Sequence, residues 1–161
     1  MKKGILTWMM YQMPLENKLC LHSSANRLPI NDHSSCGNDN RDNCTLFFGM
    51  SGTGKTTLSS DPDYRLISDD EVAWTSMGIR MIETGCYAKS EGLSPETHET
   101  IFDAVENARQ RNTLVEENPD ASNARLSYPI SCVENAYHRR ANFSHANNIF
   151  FLTCLLYTSD A

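Results

Sequence analysis

The most specific chemical signal in this sequence is a glycine-rich run that ends in a lysine and a threonine: Gly49, Met50, Ser51, Gly52, Thr53, Gly54, Lys55 and Thr56. It fits the phosphate-binding P-loop pattern, in which glycines let backbone N–H groups turn toward phosphate oxygens. Lys55 is expected to reach the β- and γ-phosphates of a nucleotide, and the Thr56 hydroxyl to hold Mg²⁺. An ordinary glycine-rich turn is the alternative interpretation.

The flanking segments favour the P-loop. Residues 45–48, apolar from Leu46 on, predict a buried strand before the run, and residues 55–58 predict the start of a helix after it. A helix N-terminus at this point adds partial positive charge beside the phosphates. Thr57 follows in the first turn of that helix, and we count it among the nucleotide-binding residues.

An acidic pair, Asp69-Asp70, comes shortly after the P-loop. It follows a turn at 61–63 and a predicted short strand at 64–67. P-loop enzymes use a carboxylate on the nucleotide's metal ion, and the end of a short apolar strand is a suitable place for it. Asp-Asp-Glu alone is typical of a solvated turn, but this position favours a functional role. The short spacing from Lys55 indicates an unusual topology rather than a generic kinase.

Four further residues carry little information singly. A lone histidine such as His22 is more often structural than a ligand, and Lys3, Lys89 and Arg125 are each typical of a solvated surface. Their interpretation depends on the sequence around them.

Composition bounds the class of protein. A chain of 161 residues with 40% apolar and 21% charged residues can form one globular core. The net charge of −6 argues against a nucleic-acid partner, which needs a basic face. No apolar stretch approaches the roughly 20 residues that span a bilayer. The apolar stretch at 4–13 follows two lysines, as in a signal peptide, but Tyr11, Gln12 and Pro14 interrupt it, so we expect a soluble, cytoplasmic protein.

The six cysteines include no Cys-x-x-Cys pair, which argues against a zinc site or a redox dithiol and favours free thiols. Residues 4–15 have no clear helix or strand signature, whereas 17–26 contain a short strand that ends near His22. The polar stretch 27–43 reads as a solvent loop or insertion. Short strands are predicted within 78–89, 124–133 and 149–153, and a helix from Ser94 to about Arg111. Residues 154–161 read as a non-native or truncated tail, which leaves 1–153 as the α/β core.

Several segments in order resemble the central part of ATP-dependent phosphoenolpyruvate carboxykinase, over residues 1 to about 153. They are Met1-Lys2-Lys3-Gly4, Leu21-His22-Ser23-Ser24-Ala25-Asn26, Leu46-Phe47-Phe48-Gly49 with the P-loop, Leu66-Ile67-Ser68-Asp69-Asp70-Glu71, Gly85-Cys86-Tyr87-Ala88-Lys89 and Asn123-Ala124-Arg125-Leu126-Ser127-Tyr128-Pro129. The resemblance implies an incomplete α/β P-loop carboxykinase core with a mixed sheet.

The resemblance also implies roles by position. Lys3, His22 and Asp70 match ligands of a catalytic Mn²⁺, and a lysine ligand must be neutral. Lys55 and Thr56 match the residues that hold the γ-phosphoryl group and the Mg²⁺ of ATP. Further matches are Asp69 for an acid that organises the metal's waters, Lys89 for a phosphate contact, and Arg125 for an arginine near the substrate carboxylate.

The implied reaction converts oxaloacetate and ATP to phosphoenolpyruvate, ADP and CO₂, a step of gluconeogenesis. Decarboxylation leaves an enolate whose oxygen attacks the γ-phosphorus. We expect little or no turnover by this chain alone, because the family's substrate-binding N-terminal domain and adenine-closing C-terminal part are absent from it. The sequence departs from the family pattern at Ser68, Val72, Thr84 and His98.

Two other functions stay open at this point. Another P-loop phosphotransferase, acting on a small molecule or a protein, has the same phosphate-binding run. A non-catalytic ATP-binding remnant does too. Dependence on Mn²⁺ and oxaloacetate distinguishes a carboxykinase from another phosphotransferase. ATP binding without turnover in the full-length parent indicates a non-catalytic remnant.

Overall fold

The computed structural model describes residues 2–28, 43–50, 52–117, 124–137 and 143–153. This part of the chain is a mixed α/β structure with three α-helices, one 3₁₀ helix and ten strands. In chain order these are α1 (Lys2–Leu15), β1 (Leu19–His22), β2 (Ser24–Arg27), β3 (Cys44–Gly49), α2 (Lys55–Ser59), β4 (Arg65–Ser68), β5 (Glu71–Thr75), β6 (Gly78–Met81), β7 (Gly85–Lys89), α3 (Pro95–Gln110), β8 (Val115–Glu117), β9 (Arg125–Pro129), the 3₁₀ helix (Ile130–Cys132) and β10 (Ala146–Leu152).

The described strands form three sheets. One has the order β1-β5-β6 and another β7-β9-β8, and both are antiparallel. The third has the order β10-β3-β2-β4, with β10 parallel to β3 and the other pairs antiparallel. The P-loop therefore leaves a central strand of this mixed sheet, since β3 lies between β10 and β2.

The hydrophobic core draws on all three sheets and on one face of α3. Its buried residues include Leu46 from β3, Leu66 and Ile67 from β4, Val72 from β5 and Val105 from α3. The periodic apolar positions that predict α3 face this core, and the helix ends at Gln110, beside the predicted Arg111. None of the described helices has the length and apolar composition needed to cross a membrane.

Several predicted elements are confirmed, with small changes of boundary. The strand near His22, the strand before the P-loop, the helix after it and the strand before the acidic pair are β1, β3, α2 and β4. The strands predicted within 78–89 are β6 and β7, and the one predicted near 149–153 is β10. The segment 124–133 is a strand only to Pro129, where the chain turns into the 3₁₀ helix.

The absence of a helix signature in residues 4–15 was misleading, because they form α1. The helix has no polar face to produce a periodic pattern: Leu6 is buried, while Ile5, Trp8 and Tyr11 are exposed. Pro14 lies in its last turn, near the end of the helix.

The polar loop predicted from residue 27 also begins too early. Arg27 is the last residue of β2 and is 5% exposed. Polar side chains are buried here because β2 lies between β3 and β4. One of them is tied to the helix after the P-loop, since the Asn26 side-chain amide donates to the Ser59 carbonyl at 3.3 Å. Residues 29–42 and the predicted tail at 154–161 lie outside the described residues.

Candidate functional site

The P-loop connects the end of β3 to the start of α2. Gly52 and Gly54 have φ angles of 85° and 92°, in the left-handed region that glycine adopts without strain. Thr53 closes the turn, because its backbone N–H and its hydroxyl both donate to the Met50 carbonyl, at 3.2 and 2.8 Å. Ser51 lies outside the described residues.

Gly49 is required for a different reason, which is packing. A Cβ atom at this position would lie 2.9 Å from the Leu152 carbonyl oxygen and would overlap the Thr53 hydroxyl. The parallel neighbour β10 and the closed turn therefore leave no room for a side chain where β3 enters the loop.

Lys55 begins α2, and its side chain is 8% exposed. Its ammonium group donates a 2.8 Å hydrogen bond to the Gly49 carbonyl and lies 3.9 Å from Asp70 Oδ1. A buried ammonium is stable only with such partners. The side chain of Lys55 is thus bonded to the first residue of the P-loop, and its ammonium group lies near Asp70.

His22 and Glu71 are direct partners across the β1–β5 pair. Asp70, immediately before β5, lies beside them, with its Oδ1 atom 3.4 Å from His22 Nδ1. One ligand atom from each of His22, Asp70 and Glu71 lies within 4.8 Å of the other two. An imidazole with two carboxylates is a donor set that suits divalent cations such as Mn²⁺, so the residues present fit a metal site.

The two acids of the pair point to different elements. Asp69 is buried, and its Oδ2 atom accepts a 3.3 Å hydrogen bond from the backbone N–H of Tyr87 in β7. Ser68 closes the turn between β4 and β5, with its hydroxyl donating to the Glu71 carbonyl at 2.8 Å. Asp69 therefore links the end of β4 to the β7-β9-β8 sheet, while Asp70 faces His22 and Lys55.

Lys89 and Arg125 face each other at the β7–β9 pair. Arg125 also lines a cavity of about 240 Å³ between α3, β8 and β9, together with Ser90, Leu93, Phe102, Glu106, Arg109, Glu116, Ala124 and Leu126. Within the described part of the chain, no hydrogen bond or ion pair joins Lys89 or Arg125 to Lys55 or Asp70. The register of β7 against β9 thus places these two cations opposite each other.

The remaining predicted residues lie on the surface or near it. Lys3 is exposed in the first turn of α1, and none of the described hydrogen bonds or ion pairs connects its side chain to His22 or Asp70. Thr56 is half-buried in the first turn of α2, Thr57 is exposed, and so is Met50.

Glu71 is the member of this cluster to which the sequence analysis gave no role. Its only local signal is its position after Asp69-Asp70, which is typical of a solvated turn. The register of β1 against β5 brings it to His22. Glu71 is 7% exposed. Burial of the Cys20 thiol raises its pKa, and the nearby negative charge of Glu71 raises it further.

A strand, a P-loop and a helix, set in a mixed α/β structure, define a P-loop protein. Comparison of the sequence with protein families identifies which one: the chain belongs to the phosphoenolpyruvate carboxykinase family, whose family model matches residues 1–158.

Curated relatives agree with this assignment. The chain is 44% identical over 163 residues to the glycosomal phosphoenolpyruvate carboxykinase (ATP) of Trypanosoma cruzi, covering 95% of this chain and 32% of the relative. It is 44% identical over 166 residues to the phosphoenolpyruvate carboxykinase (ATP) of Campylobacter jejuni strain RM1221, covering 95% and 29%. It is 43% identical over 165 residues to the phosphoenolpyruvate carboxykinase (ATP) of Eremothecium gossypii, covering 96% of this chain and 28% of the relative. The chain thus spans about a third of the length of these relatives.

Proposed function

We propose that this chain is the nucleotide- and metal-binding part of an enzyme that converts oxaloacetate and ATP to phosphoenolpyruvate, ADP and CO₂. Family membership and the names of the relatives support this reaction. The observation that carries the proposal is a shared carboxylate: Asp70 Oδ1 lies 3.4 Å from His22 Nδ1 and 3.9 Å from Lys55 Nζ. A phosphate-binding lysine and a metal-binding cluster thus adjoin, as phosphoryl transfer to an enolate requires. The described sheets then form a carboxykinase-like P-loop core.

The P-loop and Lys55 hold the triphosphate in this proposal. Backbone N–H groups of residues 49–56 would point at the phosphate oxygens, and the start of α2 adds partial positive charge. Lys55 would exchange its bond to the Gly49 carbonyl for the β- and γ-phosphates. Since the ammonium is already buried, little side-chain entropy is lost when the nucleotide binds.

His22 and Asp70 would hold Mn²⁺, and Thr56 the Mg²⁺ of ATP. A divalent cation held by His22 and Asp70 would stabilise negative charge that develops on the substrate oxygen. Lys3 is exposed in the first turn of α1, and none of the described hydrogen bonds or ion pairs joins it to His22 or Asp70. Asp69, tied to the Tyr87 backbone, would keep the turn at 69–70 in place and order the waters of the metal.

Arg125 and Lys89 would bind anionic groups at the other side of the site. Two cations that face each other across a strand pair repel, and an anionic ligand relieves that repulsion. Arg125 is suited to the substrate carboxylate because its guanidinium forms paired hydrogen bonds. Lys89, a compact charge, is suited to a phosphate.

Oxaloacetate, phosphoenolpyruvate and ATP are the proposed small-molecule partners. We expect the chain alone to bind nucleotide with little or no turnover. The cytoplasmic location also stays a prediction, and two of the relatives are named glycosomal.

The test is calorimetric titration of ATP, with Mg²⁺ and Mn²⁺ present, into the 161-residue chain and its Lys55→Ala variant. We expect binding that weakens about 10- to 100-fold in the variant, because a hydrogen bond from a charged group contributes about 1.5–3 kcal/mol. Lys18→Ala is the control, since Lys18 pairs with Glu16 in the turn after α1. If Lys55→Ala binds ATP as tightly as Lys18→Ala does, the P-loop does not bind the nucleotide.

The reaction itself is tested in a full-length protein that contains this segment. Phosphoenolpyruvate should form only when oxaloacetate, ATP and Mn²⁺ are all present. Phosphorylation of a hydroxyl acceptor instead indicates another phosphotransferase, and ATP binding with no turnover in the full-length protein indicates a nucleotide-binding remnant.

A further inference from the structure

We propose that Asn135 is a positioning residue for the P-loop: its side-chain amide fixes the connection between α2 and β4, and so fixes Lys55 relative to Asp70. This inference rests on the proposed function, because it concerns the lysine that would bind the phosphates. Asn135 lies beyond the 3₁₀ helix, far from Lys55 in the chain, and belongs to no motif of the sequence.

The side-chain amide of Asn135 binds three backbone carbonyls at the end of the P-loop helix. Its Nδ2 atom donates to the carbonyls of Asp61 and Tyr64 at 2.8 Å each, and to the Ser60 carbonyl at 3.3 Å. An NH₂ group has two hydrogens, so the longest of these bonds shares one of them. These partners also fix the orientation of the amide, because its oxygen would otherwise face three carbonyl oxygens. Ser60 is the C-cap of α2, where helix carbonyls have no partner inside the helix.

The backbone of Asn135 is anchored to β4. The Leu66 N–H donates to the Asn135 carbonyl at 3.1 Å, and the Tyr137 N–H donates to the Leu66 carbonyl at 2.9 Å. Ala136 is thereby the parallel partner of Leu66. The strand β4 ends at Ser68, shortly before Asp70. Asn135 therefore joins the end of the P-loop helix to the strand that leads to the acidic pair.

A second amide holds the same end of α2 from the other side of β4. Asn26 is 2% exposed, and its side-chain amide donates to the Ser59 carbonyl at 3.3 Å. It is also the partner of Leu66 in the β2–β4 pair. The C-terminal end of α2 is thus bonded on both sides of β4. Because α2 has only five residues and begins with Lys55, a shift of its C-terminal end also moves the lysine.

The test is calorimetric titration of ATP, with Mg²⁺ present, into the 161-residue chain and its Asn135→Asp variant. This substitution keeps the size of the side chain and removes both hydrogen-bond donors. ATP binding should weaken about 3- to 10-fold, as is usual for residues coupled through a shared backbone shift. In the Lys55→Ala background the same substitution should have little further effect, because the contact that it positions is already lost.

Asn107→Asp is the matched control. The Asn107 side-chain amide also donates to a backbone carbonyl, that of Cys132 at 3.3 Å, but it joins α3 to the 3₁₀ helix. The control introduces the same negative charge and removes the same kind of bond. Its affinity for ATP should equal that of the unmodified chain.

Amide hydrogen exchange without nucleotide gives a second measurement. The N–H groups of Leu58 and Ser60 are bonded within α2 and its cap. They should exchange about 10-fold faster in Asn135→Asp, because the helix end has lost its external bonds, and at an unchanged rate in Asn107→Asp.

Weaker ATP binding together with faster exchange in α2 supports the inference. Unchanged ATP binding by Asn135→Asp, where Lys55→Ala loses affinity, overturns the inference and leaves the proposed function intact. Weaker binding with unchanged exchange, or an equal loss in the Lys55→Ala background, also overturns it, because the effect then does not act through α2 and its lysine. No effect of Lys55→Ala overturns the proposed function and the inference together. If circular dichroism shows that Asn135→Asp does not fold, Asn135→Ala decides, and unchanged affinity there overturns the inference.

Discussion

Asp70 holds the P-loop lysine in an ion pair: its Oδ1 atom lies 3.9 Å from Lys55 Nζ. Both groups are expected to have other partners during the reaction, the lysine a triphosphate and the carboxylate a divalent cation. In the absence of the cation, the carboxylate competes with the phosphates for the lysine and also repels them. We therefore expect the pair to couple nucleotide binding to metal binding.

The first prediction follows from this competition. With EDTA present, Asp70→Asn should strengthen ATP binding about fivefold, since a partly exposed ion pair contributes on the order of 1 kcal/mol. With Mn²⁺ present, the same variant should bind ATP more weakly than the unmodified chain, because it has lost a metal ligand. Calorimetry under the two conditions measures both effects.

Asp103→Asn, an exposed acid on α3, is the control for the change of net charge and should behave as the unmodified chain does. Weaker ATP binding by Asp70→Asn in EDTA would contradict the competition, because the carboxylate would then support the nucleotide directly.

The second prediction concerns the entrance of the P-loop. Gly49→Ala should destabilise the chain by about 1–3 kcal/mol, the usual cost of inserting a methyl group into a packed site. The added Cβ would meet the Leu152 carbonyl and the Thr53 hydroxyl. Urea unfolding measures the stability, and calorimetry should show weaker ATP binding, since Thr53 closes the loop.

Gly85→Ala is the matched control, because a Cβ there has no neighbour closer than 4.0 Å. Equal stability of the two variants would mean that β10 does not press against the loop in solution.

The sequence was most informative where the signals are local. Glycines with a lysine and a threonine predict the P-loop, and a proline after Ser94 predicts the start of α3, because backbone sterics act over a few residues. The periodic apolar positions of α3 likewise predict the face it buries.

Long-range pairing could not be predicted in the same way. The partnership of His22 and Glu71 depends on the register of β1 against β5, which no residue near either one specifies. The burial of Arg27 depends on β2 lying inside a sheet, whereas an arginine taken by itself is expected to be exposed. The resemblance had grouped His22 with Asp70, but the pairing of Glu71 with His22 and the approach of Asp70 to Lys55 came from the structure.

The third prediction concerns stability at alkaline pH. Burial, and then the nearby Cys86, Asp69 and Cys132, raise the pKa of Tyr128 well above its usual value. An unfolded tyrosine loses its proton at about pH 10, so above that pH the folded chain holds one proton more. Stability should therefore be fully present below about pH 10 and fall as pH rises toward the folded pKa.

Tyr128→Phe removes this ionisation and should move the midpoint of alkaline unfolding to higher pH, with little effect at neutral pH. Circular dichroism during a pH titration measures the midpoint. Tyr11→Phe, at an exposed position of α1, is the control and should leave it unchanged. An unchanged midpoint in Tyr128→Phe would show that Tyr128 does not resist ionisation in the folded chain.

The last prediction compares two glycines that differ in what a side chain would meet. Gly78 has a φ of 103°, and a Cβ there would overlap the Phe143 carbonyl. That carbonyl cannot move away easily, because Phe143 donates to Ile79 at 2.8 Å and Ile79 donates to Ser144 at 3.2 Å. Gly78→Ala should therefore destabilise the chain by about 2–4 kcal/mol, from backbone strain and overpacking together.

Gly4 lies in α1 with open space around it. Gly4→Ala should stabilise the chain by roughly 0.5–1 kcal/mol, because alanine loses less conformational freedom than glycine in a helix. Urea unfolding of both variants against the unmodified chain measures the two effects. Because the substitution is the same and only the surroundings differ, opposite signs support the backbone described at both positions. A stabilising Gly78→Ala would mean that residues 143–144 do not pack against β6. A Gly4→Ala variant with no gain in stability would mean that Gly4 does not lie in a stable helix in solution.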